Sequence, residues 1–238
     1  MSNALKGRRL VITGAAGGLG PSVVAAAADA GAKLVLVDVS QERLDALAET
    51  HAVAIESTHV VDLLNADDVQ AFAEEMASVG GADILWHLVG GWRGGKPMAE
   101  APLEDWDWLH GLLVRTIVHV ARSFAGQLKQ SAQGRFALIS AKQAQAPTSS
   151  NAAYAASKAA AEATVFALAD EFKESGATAN VIVVPAIVTP AMRESKPDKD
   201  WGAFVPAEEI ADALVYVSSA SGAKMNGQRV RLYSGIPS

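Results

Sequence analysis

A tyrosine and a lysine one helical turn apart, Tyr154 and Lys158, lie in an alanine-rich stretch near the middle of the chain. Four residues along a helix bring both side chains to one face. A free phenol, with a pKa of about 10, is a poor proton donor or acceptor at neutral pH. A nearby ammonium favours the phenolate and should draw that pKa down toward the working range. The pair therefore reads as a proton-transfer device. An alanine-rich helix with an incidental Tyr and Lys would look the same, so the rest of the chain has to decide.

A second cluster, Thr13-Gly14-Ala15-Ala16-Gly17-Gly18-Leu19-Gly20, follows an apolar run and opens a helical one. Glycines there permit a tight turn and let the backbone approach a pyrophosphate at a helix N-terminus. Asp38 ends the next apolar run, 18 residues beyond Gly20. A carboxylate at that place accepts hydrogen bonds from an adenosine ribose and repels a 2′-phosphate. Neither the glycine loop nor the residues directly after Asp38 include Arg or Lys, and Arg43 is the nearest cation. NAD(H) is favoured over NADP(H).

A third cluster is Gly90-Gly91-Trp92-Arg93-Gly94-Gly95. Trp92 on so small-sided a loop can stack on a flat conjugated ring, or simply pack the loop. His87 reads as a hydrogen-bonded structural histidine, and Trp106 and Trp108 as packing residues. The remaining histidines have no ligand spacing, and the sequence has no Cys, so no metal site is indicated.

The elements that must position these residues are short β-branched runs alternating with Ala-rich helical segments. Strands are expected at Arg9–Thr13, Lys33–Val39, His59–Asp62, Ile84–Val89, Arg135–Ser140, Ala179–Val184 and Gln228–Tyr233. Helices are expected near Leu19–Ala30, Gln41–Thr50, Asn65–Val79, Leu103–Lys129, Ala152–Glu174 and Pro206–Ser218. The alternation implies an α/β fold of Rossmann type, a doubly wound parallel sheet of about seven strands with helices on both faces. One domain over residues 1–238 is expected. The polar stretch Ala191–Gly202 follows a strand end, where a lid over a cleft would sit.

Half of the 238 residues are hydrophobic and the formal net charge is -6, which disfavours disorder and offers nothing to nucleic acid or an anionic membrane. No signal peptide and no apolar run of membrane-spanning length is visible, so a cytoplasmic enzyme with a small-molecule substrate is expected.

With both motifs in place, the chain resembles the short-chain dehydrogenase/reductase family over nearly its whole length. Thr13–Gly20 is similar to the family's TGxxxGxG loop, and Tyr154-Ala155-Ala156-Ser157-Lys158 to its YxxxK element. The resemblance makes Tyr154 and Lys158 the catalytic pair, with Lys158 also holding the nicotinamide ribose. It gives cofactor contacts to Thr13, Gly14, Gly18, Leu19, Gly20, Asp38, Asp62, Leu63, Gly90, Ser140, Pro185 and Thr189. It also implies a homodimer or homotetramer. The apolar residues on several faces of the Tyr154 helix agree with a partner there.

Three departures stand out. The NNAG segment is His87-Leu88-Val89-Gly90, Ala141 stands 13 residues before Tyr154 where a catalytic serine is usual, and Leu113 replaces a helical asparagine. The glycine loop around Trp92, with Ala141-Lys142, resembles the dihydropteridine reductases, a divergent branch that also lacks the serine. That resemblance implies an NADH-dependent reduction of a planar ring, with Gly91, Trp92 and Lys142 touching the substrate. A carbonyl or alcohol oxidoreductase using Ser140 or Ser149 as a substitute serine is the alternative, and a nucleotide-binding regulator with a degenerate site is a third.

Overall fold

The computed structural model describes residues 3–234. In its first half the chain runs β1 (Arg9–Thr13), α1 (Gly20–Asp29), β2 (Lys33–Asp38), α2 (Gln41–Thr50), β3 (Ile55–Val60), α3 (Ala66–Ser78) and β4 (Ile84–His87). Next come α4 (Leu103–His110), a π-helical turn at Gly111–Arg115, α5 (Thr116–Gln130), β5 (Arg135–Ala141), α6 (Ala152–Glu171) and β6 (Thr178–Val184). The chain then forms β7 (Ile187–Val188), α7 (Pro190–Ser195), β8 (Val205–Pro206), α8 (Ala207–Ser218) and β9 (Arg229–Arg231).

Seven strands form one sheet in the order β3-β2-β1-β4-β5-β6-β9, every pair parallel. Side chains alternate across a strand, so each strand feeds two apolar layers. Val11, Leu85, Phe136 and Val181 pack under α3, α5 and α6 with Phe72, Phe124 and Val165. Leu10, Ile12, Leu34 and Trp86 pack on the other face with Val23 of α1, Leu44 of α2 and Leu214 of α8. The strand order reverses beside β1, which opens a crevice at the carboxyl ends of β1 and β4.

The expected elements are present, with four differences. β3 covers Ile55–Val60 rather than His59–Asp62. It is an edge strand paired only with β2, so most of its side chains stay partly in water and no buried apolar run marks it. The long helix expected over Leu103–Lys129 is broken by the π-helical turn at Gly111–Arg115. Thr116 Oγ1 donates to the Leu112 carbonyl at 2.6 Å, engaging an oxygen within the widened turn. The polar stretch expected from Ala191 begins inside α7, because Thr189 caps that helix by accepting from Met192 N at 3.2 Å. Finally, β4 stops at His87, so Val89 belongs to the loop above the sheet.

Among the described residues, no helix is long and apolar enough to cross a membrane, and no group of three or more His, Cys, Asp or Glu could hold a metal ion.

Candidate active site

A cavity of about 1200 Å³ opens over the carboxyl ends of the strands. The end beside the glycine loop and Asp38 is shaped largely by backbone. Gly14 lines it with φ +73°, and a Cβ there would lie 3.0 Å from Val89 N. Only glycine fits a left-handed backbone packed so closely against the loop after β4. Gly20 does not line the cavity. A Cβ there would lie 1.7 Å from the Ala15 carbonyl oxygen, so this glycine lets α1 close behind the loop.

Asp38 is buried, and its two carboxylate oxygens accept from Ala16 N at 3.0 Å and Val39 N at 2.9 Å. These bonds aim the carboxylate along the cavity wall. Arg43, five residues on, returns from the first turn of α2 and reaches Asp38 Oδ1 at 3.2 Å. The sequence places no cation directly after Asp38, but the helix brings one back. Asp62, Leu63 and Leu64 complete this end.

At the other end Tyr154 and Lys158 face the same cavity. The lysine is 5% exposed, and its ammonium donates to the Ile139 carbonyl at 2.9 Å. Burial pulls its pKa down to about 8 against the raising effect of Glu162. Tyr154 moves opposite to the expectation from sequence. Burial is what moves it, pushing its phenol up to about 12. Tyr154 therefore stands as a neutral phenol at neutral pH.

The hydroxyls nearest the pair are already engaged. Ser140 Oγ donates to Glu162 Oε1 at 2.7 Å, and Arg229 Nε donates to Glu162 Oε2 at 2.6 Å. Thr116 Oγ1 gives its proton to Leu112, so it accepts from His87 Nε2 at 3.3 Å. His87 Nδ1 in turn accepts from Thr13 Oγ1 at 2.8 Å. Both ring nitrogens are thus satisfied in the neutral imidazole, and burial followed by the Lys158 charge pushes its pKa down to about 3. His87 is the buried, hydrogen-bonded group expected from the sequence.

Gly90, Gly91 and Trp92 form the outer wall, and Trp92 is 59% exposed. Arg93 lies over the Trp108 ring at 4.2 Å and pairs with Asp105 at 3.4 Å, which staples the loop to α4. Opposite, Lys199 and Phe204 come from the polar stretch after α7.

Of the residues singled out from sequence, Gly14, Gly18, Leu19, Asp38, Asp62, Leu63, Gly90, Gly91, Trp92, Ser140, Tyr154, Lys158 and Pro185 line this cavity. Thr13, Gly20, Thr189 and Lys142 do not. Thr13 is turned into the sheet toward His87, and Thr189 caps α7. Lys142 points away, its ammonium 5.7 Å from the Tyr233 ring. Ser149, weighed as a substitute serine, is exposed outside the cavity. Sequence reasoning passed over Arg43, Gln143, Lys199 and Phe204 as lining residues. For Gln143 the signal was there, since it lies two residues beyond Ala141. For Lys199 and Phe204 there was none, because a polar loop has no periodicity that tells which side chains turn inward.

Residues 8–200 match the family model for short chain dehydrogenases. A rat protein named dehydrogenase/reductase SDR family member 6 is 25% identical, covering 97% of this chain and 98% of that protein. D-threitol dehydrogenase of Mycolicibacterium smegmatis is 28% identical over 94% of this chain and 90% of its own length. The crystal structure of a gluconate 5-dehydrogenase from Burkholderia cenocepacia, in complex with NADP and tartrate, superposes with a TM-score of 0.85 at 26% identity, covering 96% of this chain and 94% of that one. Fold and sequence thus agree from the glycine loop through β6 and beyond, and the chain belongs to the short-chain dehydrogenase/reductase family as one of its oxidoreductases.

Proposed function

We propose that the protein is an NAD(H)-dependent oxidoreductase acting on a small, planar or conjugated substrate. The observation that carries this reading is one cavity shared by the glycine loop, Asp38, the Tyr154-Lys158 pair and the exposed ring of Trp92. The residues fit a dinucleotide. Gly14 and Gly18 would leave room for a pyrophosphate, Asp38 would offer its fixed carboxylate to an adenosine ribose, and Lys158 would hold the nicotinamide ribose. When bound, the nicotinamide supplies hydride. Tyr154 is protonated at neutral pH, the more firmly because burial pushes its phenol up to about 12, and it donates its hydroxyl proton to the substrate and is reprotonated from solvent. Hydride and proton together balance a two-electron reduction. Trp92 offers its ring face to a flat substrate beside Tyr154.

Asp38 favours NAD(H), since a 2′-phosphate would meet its buried carboxylate. A second reading, oxidoreduction of a simple alcohol or carbonyl, draws on the relatives named for D-threitol and gluconate. Neither substitute serine serves it well, because Ser140 is committed to Glu162 and Ser149 stands outside the cavity. On α6, Ala156, Ala159, Ala160, Ala163 and Ala167 are exposed, which supports a homo-oligomer through this helix. Light scattering on the purified chain tests it.

The decisive experiment follows NADH oxidation with a freshly generated quinonoid dihydropterin, with NADPH and simple ketones in parallel. Rapid NADH-selective turnover with the pterin is the expected result. The Tyr154→Phe variant should then lose about 10²–10⁴-fold in kcat while binding NADH normally. Unchanged turnover in that variant would remove Tyr154 from the chemistry, and turnover of ketones alone would replace the planar substrate with the second reading.

A further inference from the structure

Ala141 leaves the substrate without the hydroxyl that would normally face Tyr154. It is 4% exposed and lines the cavity, so a methyl group stands where a polar contact is needed. The neighbouring hydroxyls cannot turn to fill the gap. Ser140 serves Glu162, and Thr116 serves both Leu112 and His87. Reorienting either would strand a buried carboxylate or imidazole without its partner.

Gln143 differs from both. It sits in the short 3₁₀ turn Lys142–Ala144 directly after β5, and it lines the same cavity as Tyr154. Its Oε1 is buried and has no hydrogen-bond partner. A buried amide oxygen left unpaired is costly, so no hydrogen bond holds the carboxamide where it lies, and turning it into the cavity that Gln143 lines breaks none. The carboxamide is longer than a serine side chain, so it can reach back over Lys142, the one residue that separates it from Ala141. Rotated by half a turn, it presents an N–H donor in place of the oxygen without change of shape. Like a serine hydroxyl, it can therefore donate to a carbonyl oxygen or ring nitrogen, or accept from an N–H.

We propose that Gln143 takes over the missing serine's task, hydrogen-bonding through its carboxamide to the substrate atom that Tyr154 protonates. The assignment rests on the reading of this cavity as a reductase site. It explains how a chain with Ala141 keeps an intact Tyr154-Lys158 pair. The same carboxamide suits the N–H and C=O edge of a heterocycle, which a lone hydroxyl cannot bridge.

The test uses Gln143→Met, which keeps the side chain's length and removes the amide. Quinonoid dihydropterin and diacetyl are the probes, and NADH affinity is read separately by fluorescence titration. With whichever probe the wild type reduces, Gln143→Met should lower kcat/KM by about 10–100-fold and leave NADH affinity within twofold. Adding Ala141→Ser to that variant should recover much of the loss, a rescue that a merely packing glutamine would not permit. Retention of kcat/KM within twofold in Gln143→Met overturns the proposal. So does a loss matched by an equal loss of NADH affinity, which would make Gln143 a structural residue. If the wild type binds NADH but reduces neither probe, the reductase reading fails first and the role of Gln143 falls with it.

Discussion

The two ends of the cavity are made of different material. The end proposed to hold the adenosine is mostly main chain, with Gly14 and Gly18 in the turn and a carboxylate clamped by two backbone amides. The reactive end is mostly side chain, where Tyr154, Lys158, Trp92, Gln143, Lys199 and Phe204 arrive from four separate segments. Backbone sites tolerate little change, because an added methyl group either meets other main-chain atoms, as at Gly14 and Gly20, or takes the cavity space itself, as at Gly18. Side-chain sites can lose one group and recruit another from a neighbouring position. That contrast explains how the glycine loop keeps its family pattern while Ala141, His87 and Leu113 depart from theirs.

The sharpest way to break the comparison is to add a methyl group within the glycine loop. At Gly20 the new Cβ would sit 1.7 Å from the Ala15 oxygen, and neither backbone segment can yield. Gly20→Ala should cost more than about 4 kcal/mol and yield little folded protein. Gly18 lines the same loop, but a Cβ there meets nothing within 4 Å. Gly18→Ala should keep its melting temperature and lose NADH affinity instead. Thermal melts beside NADH titrations separate the two, and equal melting temperatures would contradict the packing role given to Gly20.

What was legible from sequence follows the same division. The glycine loop, Asp38 and the YxxxK helix announce themselves because a backbone turn and a helical spacing each impose a residue pattern. The buried strands were legible for the same reason, as the runs Arg9–Thr13 and Lys33–Val39, which β1 and β2 match to within a residue. β3 was displaced because an edge strand has no such run. The π-helical turn left no pattern either, since Gly111–Arg115 carries the same kinds of residue as the helices on either side of it. The pKa of Tyr154 was misjudged from spacing alone. Sharing a helix face with Lys158 does not decide which carbonyl the ammonium chooses or how deeply the phenol is buried.

Between the two ends lies His87, whose imidazole ties β1 to the π-helical turn through Thr13 and Thr116. Its folded-state pKa of about 3 lies below the ordinary value of 6.5, so the unfolded chain takes up this proton first. The stability it contributes is fully present above pH 6.5 and is lost as pH falls toward 3. This one group should remove about 2 kcal/mol between pH 7 and pH 5. His87→Asn should flatten that part of the profile, whatever it does to stability at pH 7. Urea unfolding at several pH values checks this, and an unchanged slope would assign the acid sensitivity elsewhere.

The smallest effect concerns Arg43, which makes the adenosine end less purely a backbone site than its glycines imply. Its side chain is 55% exposed, so the pair with Asp38 adds little stability, and its consequence lies in cofactor choice. On the proposed NAD(H) reading, Asp38 pairs with the arginine and would turn away a 2′-phosphate. In Asp38→Ser the same guanidinium is released at the cavity wall, where it can pair with that phosphate. NADH affinity should fall about tenfold and NADPH affinity rise by a similar factor, each equivalent to about 1.4 kcal/mol. Adding Arg43→Ala should cancel the NADPH gain but not restore NADH binding. If Asp38→Ser weakens NADH without helping NADPH, then Arg43 serves only to hold Asp38, and cofactor choice rests on the carboxylate alone.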